Sequence, residues 1–201
     1  MHPLLTDPEL IIEPTWETKG ATDYAVRRPS GEPIAGAREQ TLDRRPMWQI
    51  LLGSWISPAC TVRFSDLSGG PLLHVSTSRA VRPSAAVSTG ANGPLGTYAP
   101  GGPFDQEGAL FDPYGAQTGI VRRPAFEPEI VMTDRSRARL ASITVRPLAA
   151  IWNPNGLGPR HFVLRLAPQL SGPRRALVVG VVVTLYMIWF RKSRRSSLRR
   201  W

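Results

Sequence analysis

The sequence contains one cysteine, Cys60, among its 201 residues. A single cysteine excludes an internal disulfide and any zinc site built from several thiolates. Cys60 has no motif partner and lies beside a strand-like segment, so we predict that it is a small core residue. Proline and glycine, by contrast, are frequent, with 20 and 18 residues. They leave little room for long helices, which argues against a helical bundle.

Acidic residues are missing from the last third of the chain. Residues 135–201 hold 14 basic and no acidic residues, whereas residues 1–134 have a net charge of −4. A basic end of this kind indicates an anionic partner for that end, and membrane headgroups and nucleic acid both fit on charge alone. Because the chain has no base-stacking motif and its first two-thirds are acidic, nucleic acid is not expected as a partner.

Signatures of enzyme chemistry are also missing. The three histidines, His2, His74 and His161, are far apart, and none has a metal-ligand partner at i+2 to i+4. Neither a phosphate-binding glycine loop nor a nucleophile elbow is present. We therefore expect no catalytic residues, no metal ligands and no cofactor. The first residues lack the basic and apolar regions of a secretory signal, which favours a cytoplasmic location.

Most of the chain is patterned as short strands. Segments with alternating or dense apolar character are separated by Pro, Gly, Asp and Asn, as antiparallel barrels and sandwiches require. These segments are Glu9–Glu13, Tyr24–Val26, Trp48–Leu52, Thr61–Phe64, Leu72–Val75, Gly119–Val121, Ile130–Met132, Leu140–Val145 and His161–Leu166. The proline-rich stretch Val81–Pro103 is predicted to be a long loop with a weak strand near Leu95–Ala99.

A loose internal repeat places tight turns between pairs of strands. Asp, Ser or Pro opens each turn, and Gly or a polar residue occupies the position that needs a positive φ angle. The pattern recurs around Gly31, Asp66 and Asp112, and more faintly around Asp134. We therefore predict structural turn roles, not catalytic ones, for Gly31, Asp66, Gly69, Asp112, Gly115 and Gly119.

The C-terminal part contains one uninterrupted apolar segment. Ala176–Phe190 has no charge and no polar face, so it must be buried in protein or in lipid. As a helix it would span about 22 Å, whereas a bilayer core is about 30 Å thick. Length alone leaves three alternatives: a core helix of a globular domain, a short membrane span, or, for the valine run, a buried strand.

The order of these features resembles the phospholipid scramblase and LURP-one-related family, which shares the tubby C-terminal-like fold. The resemblance covers about residues 4–190 and is carried by Leu10–Glu17, Tyr24–Glu39, Val62–Leu73 and Leu110–Gly119, with the apolar segment last. It implies a mainly β fold, a closed antiparallel barrel of about twelve strands that encloses a C-terminal hydrophobic helix. A barrel of this width cannot be filled by its own side chains alone, so the apolar segment would occupy the lumen.

On this basis the chain divides into a barrel (residues 1–173), a central helix (174–190) and a basic tail (191–201). The helix either fills the barrel or crosses the membrane, an ambiguity that the family shares. The residues predicted to form this plug or membrane segment are Leu177, Val178, Val179, Val182, Val183, Leu185, Met187, Ile188, Trp189 and Phe190.

Two features of animal-type scramblases are missing from the sequence. Those proteins carry a cysteine cluster for lipidation, whereas this chain has only Cys60, so no palmitoyl anchor is expected. They also carry an acidic calcium-binding segment before the final helix. The matching stretch, residues 153–161, has no carboxylate, so a calcium requirement is not supported.

The resemblance and the basic end together predict a scramblase-like protein that binds anionic phospholipid at the inner face of the cell membrane, with movement of lipid between leaflets as a further activity. Two alternatives stay open: a soluble, non-catalytic interaction module with the helix as a structural plug, and a single-pass protein anchored by the helix. The residues predicted to contact anionic lipid are Arg174, Arg175, Arg191, Lys192, Arg194, Arg195, Arg199 and Arg200.

Overall fold

The structure, a computed structural model, describes residues 2–18, 21–41, 59–101, 107–122, 129–147 and 160–197. Within these ranges the chain forms twelve strands, a short 3₁₀ helix (Pro3–Leu5) and one long helix, α1 (Gly172–Ser197). The strands are β1 (Glu9–Thr18), β2 (Ala21–Arg27), β3 (Pro33–Thr41), β4 (Cys60–Asp66), β5 (Pro71–Thr77), β6 (Ala85–Thr89), β7 (Pro94–Pro100), β8 (Glu107–Phe111), β9 (Gln117–Arg122), β10 (Glu129–Thr133), β11 (Arg139–Pro147) and β12 (Arg160–Leu166).

The twelve strands form a closed antiparallel barrel. Each strand pairs with the next along the chain, and β1 closes the sheet by pairing with β12, with Leu10 opposite Leu164. Closure leaves no unpaired sheet edge, which removes the usual site of edge-to-edge aggregation. The predicted fold class, a closed barrel of about twelve strands around a C-terminal helix, is confirmed.

Buried and partly exposed residues alternate along the strands. The alternation is complete in β2, β8 and β10. Their buried apolar side chains belong to one core that also includes residues of α1, so they point into the barrel. Val26, Leu110 and Met132 are each at most 1% exposed. This is the period-two pattern on which the strand predictions rest.

The strand prediction is wrong in one region and cannot be compared in another. Val81–Pro103, predicted to be mainly a loop, contains β6 as well as β7. β6 buries only two small apolar side chains, Ala85 and Val87, so its hydrophobic pattern is weak. Pairing with β5 and β7 on its two sides stabilises the strand. The predicted strand Trp48–Leu52 lies outside the described residues.

The two ends of the barrel differ. Connections between antiparallel neighbours alternate between the ends, so the tight turns joining β2–β3, β4–β5, β6–β7, β8–β9 and β10–β11 all lie at one end, which we name the turn end. The 3₁₀ helix and the start of α1 also lie there, since the Leu166 amide donates to the Pro8 carbonyl (2.8 Å). The other end, which holds the β5–β6 connection (Ser78–Ser84), is named the exit end.

Helix α1 enters at the turn end and fills the barrel lumen. Every residue from Ala176 to Leu185 is buried. Gly180 permits a close approach of the helix to the wall, because a Cβ at this position would stand 2.9 Å from Val87 Cγ1 and 3.1 Å from Val75 Cγ2. The helix axis continues from there towards the exit end.

The structure decides between the alternatives for the apolar segment. The valine run is helical and not a strand, and it packs inside the barrel. The helix begins at Gly172 and ends at Ser197, beyond both boundaries (174 and 190) predicted for it, so part of the predicted basic tail is helical. In the part of the chain that the structure describes, no helix is both long enough and apolar enough to span a bilayer.

Candidate functional site

The structure places six of the ten predicted plug residues in the centre of the core. They are each at most 2% exposed: Leu177, Val178, Val179, Val182, Val183 and Leu185. Val181 is equally buried and belongs with them, although the prediction omits it. The other four predicted plug residues belong to α1, but their side chains lie outside the described part of the structure: Met187, Ile188, Trp189 and Phe190.

Arg175 is not available to a lipid headgroup. It is only 2% exposed, and its guanidinium donates to the backbone carbonyls of Leu170 (3.3 Å) and Asp7. Burial lowers the pKa of the Arg175 side chain, and the charge of Asp7 opposes that change. The predicted lipid contact is therefore wrong for Arg175, because this residue ties the start of α1 to the N-terminal segment.

The other predicted lipid contacts lie towards the two ends of α1. Arg174 is exposed at the turn end and donates to the Thr118 carbonyl (2.9 Å). Arg191 follows on the same helix about 26 Å away, at a rise of about 1.5 Å per residue. Arg174 and Arg191 therefore cannot belong to one compact cluster. Arg191, Lys192, Arg194 and Arg195 lie in the last turns of α1, and Arg199 and Arg200 lie outside the described residues.

Further basic residues, not included in the predicted site, lie at the exit end. Arg79 and Arg82 flank Val81 in the β5–β6 connection. Arg146 and Arg160 lie at the ends of β11 and β12 that face the same way. These residues are spread over 82 positions of the sequence, and only the antiparallel topology brings them to one end. The sequence signal for a basic surface is the excess of basic residues after residue 134. Arg79 and Arg82 lie before that region, so this signal does not include them.

The predicted turn aspartates shape the turn end. Asp66, Asp112 and Asp134 each accept, through Oδ1, hydrogen bonds from the backbone amides two and four residues further along, at 2.7–2.9 Å. Hydrogen bonds from the Ser68 hydroxyl to Asp66 and from the Ser136 hydroxyl to Asp134 are the largest causes that lower the pKa of these two carboxyl groups. The three aspartates therefore act as backbone acceptors.

The predicted turn glycines have two different roles. Three of them have the positive φ that tight turns require: Gly31 (+89°), Gly69 (+89°) and Gly115 (+82°). The turn role predicted for Gly119 is wrong, because Gly119 lies inside β9, opposite Leu110. A Cβ there would stand 2.8 Å from the Thr133 carbonyl oxygen, so glycine at 119 permits close approach of β10.

A groove of about 340 Å³ lies on the outer wall near the turn end. Small polar side chains line it, among them Ser76, Ser88 and Thr97, together with Asp112. The Asp112 carboxylate already accepts two backbone hydrogen bonds within its own turn. Among the described residues, no three His, Cys, Asp or Glu side chains are grouped so that they could hold a metal ion. We assign the groove no chemical role.

Comparison with known proteins supports the fold of this chain and nothing beyond the fold. No protein-family profile and no curated protein sequence matches this chain. In structure it is similar to a protein from Arabidopsis thaliana solved by X-ray crystallography, with a TM-score of 0.52 and 12% sequence identity over 90% of this chain and 92% of the other. The similarity supports the barrel architecture over nearly the whole length.

Proposed function

We propose that this protein is a scramblase-like barrel that associates with membranes by binding anionic phospholipid through its basic C-terminal segment, residues 191–200. The observation that carries the proposal is that residues 191–197 of this segment are the last turns of α1, whose earlier residues Ala176–Leu185 are buried in the barrel. Basic residues near an anionic membrane surface each contribute about 1 kcal/mol of attraction. Six of them are enough for substantial binding.

The packed helix supports this proposal in a second way. Because Ala176–Leu185 is held in the lumen, the basic turns that follow continue the same helix axis towards the exit end. Helical turns that are already formed lose less conformational entropy when they bind than an unstructured tail would. The resemblance to the scramblase family agrees with a lipid partner, and the proposed location is the inner face of the cell membrane. No catalytic residue and no cofactor form part of the proposal.

Vesicle binding tests the proposal. We expect the full chain to co-sediment with vesicles of phosphatidylserine and phosphatidylcholine, with an affinity that falls as salt rises, because exposed charges are screened. Replacing Arg191, Lys192, Arg194, Arg195, Arg199 and Arg200 by Gln should weaken binding more than tenfold. The matched control replaces the five arginines by Lys, which keeps the charge and should keep the binding.

Three results would separate the alternatives. Equal binding of the wild-type chain and its Gln variant, or no preference for anionic vesicles, would contradict the proposal and favour the soluble interaction module. Transfer of a fluorescent phospholipid between leaflets of reconstituted vesicles would add the scrambling activity that the resemblance implies. Binding without transfer would leave a lipid-binding protein that does not scramble.

A further inference from the structure

The charge of the described residues differs between the two ends of the barrel. At the turn end acidic and basic groups are paired: Arg28 pairs with Asp7 (2.7 Å) and Glu32 (2.6 Å), and Arg165 pairs with Glu9 (2.9 Å). Near the exit end Asp23 pairs with Arg38 (3.5 Å), and Glu107 pairs with Arg122. Basic residues outnumber acidic ones there: Arg79, Arg82, Arg146, Arg160, Arg191, Lys192, Arg194 and Arg195.

The β5–β6 connection combines this charge with an exposed apolar side chain. Val81 is 53% exposed and stands between Arg79, which is exposed, and Arg82, which is half-buried. Arg82 also lies close to the buried hydroxyl of Tyr98: burial raises the pKa of Tyr98, and the charge of Arg82 opposes that rise. An apolar side chain flanked by cations suits the boundary between headgroups and acyl chains.

This connection lies at the end of the barrel towards which α1 runs. Gly180 packs against Val75 of β5 and Val87 of β6, which are paired with each other. The connection continues those two strands past the barrel wall at the exit end, and α1 continues in the same direction. The β5–β6 connection and the last turns of α1 therefore lie towards the same end of the molecule.

From this arrangement we infer that the Ser78–Ser84 connection is part of the membrane-docking surface, with Val81 entering the interface and Arg79 and Arg82 facing lipid phosphates. This inference rests on the proposed function and adds the orientation of the protein. The exit end faces an anionic phospholipid bilayer, and the turn end faces away from it. The positive charge at the exit end is complementary to the bilayer surface.

Paired substitutions at the two ends test the orientation. At the exit end, Val81→Ser and Arg79→Gln should each weaken binding to phosphatidylserine-containing vesicles by about fivefold. At the turn end, Leu67→Ser and Arg135→Gln are the matched controls, because Leu67 is 67% exposed and Arg135 is also exposed. Neither control should change binding.

A variant that binds vesicles more strongly distinguishes the inference from misfolding, which would only weaken binding. Val81→Trp should strengthen vesicle binding, since tryptophan favours the membrane interface, whereas Leu67→Trp should have no effect. Unchanged binding in all exit-end variants, or weaker binding in the turn-end variants, would overturn the inference while leaving the proposed function intact. Failure of the wild-type chain to bind these vesicles would overturn the proposed function itself.

Discussion

At the scale of single residues, Arg137 occupies a backbone position that the other tight turns fill with glycine or asparagine. Its φ is +66°, beside +64° for Asn92 and +82° to +89° for Gly31, Gly69 and Gly115. In each of these turns the amide of the residue with positive φ donates a hydrogen bond to the carbonyl of the residue three positions earlier. A left-handed conformation costs an L-residue other than glycine about 1–2 kcal/mol, so Arg137 strains its turn.

Replacing Arg137 by Gly should therefore stabilise the protein. The strain that is relieved exceeds the roughly 0.5–1 kcal/mol of extra chain entropy that glycine loses on folding. We expect the free energy of unfolding, measured with urea, to rise by up to about 1 kcal/mol. The reverse change in an equivalent turn, Gly115→Arg, should lower it. A loss of stability in Arg137→Gly would show that the arginine side chain makes a compensating contact.

At the scale of one element, α1 is buried on all its faces from Ala176 to Leu185, and this stretch carries a polar side chain, Thr184. Thr184 is fully buried, and among the contacts that the structure describes its hydroxyl oxygen forms no hydrogen bond. A buried hydroxyl without a partner costs about 1–3 kcal/mol in proteins. The next residue towards the N-terminus, Val183, is 1% exposed and apolar.

A pair of substitutions in opposite directions measures this cost. Thr184→Val keeps the shape of the side chain and removes the hydroxyl, so it should raise the free energy of unfolding by about 1 kcal/mol or more. Val183→Thr adds a hydroxyl one position away and should lower it by a similar amount. Thermal or urea unfolding monitored by circular dichroism gives both values. A destabilised Thr184→Val would mean that the hydroxyl has a partner in solution.

At the scale of the whole molecule, barrel and helix depend on each other. Seven Val and Leu side chains between Leu177 and Leu185 are at most 2% exposed. Each contributes about 1.5–3 kcal/mol on full burial, which sums to roughly 10–20 kcal/mol. The net stability of a domain is about 5–15 kcal/mol. An empty barrel of these strands is therefore not expected to persist.

Deleting the helix tests this dependence. A chain that ends at Pro173 should lose its cooperative unfolding transition and bind a hydrophobic dye, because the lumen residues are then exposed to water. A chain that ends at Ser197 keeps all of α1 and serves as the control, with an unchanged transition. If the shorter chain unfolded cooperatively at the same urea concentration, the barrel would be stable without its helix.

Several features of the fold follow from local sequence patterns. The alternation of apolar residues predicts most strands, since the two faces of a strand follow a period of two residues. The Asp-x-x-Gly patterns predict the turns at Asp66 and Asp112. The resemblance to the scramblase family, not periodicity, supplied the prediction of closure around the helix. β6 was missed because its inward side chains are few and small.

The sequence alone determined that one apolar segment had to be buried and that positive charge collects after residue 134. Only the tertiary structure decided which basic residues share a surface. Arg175 is buried because its guanidinium donates to the backbone of Asp7, 168 residues earlier, and strand order places Arg79 at the end of the barrel towards which α1 runs. Contacts between distant parts of the chain depend on which strands pair and where the sheet closes, and no local pattern of residues contains that information.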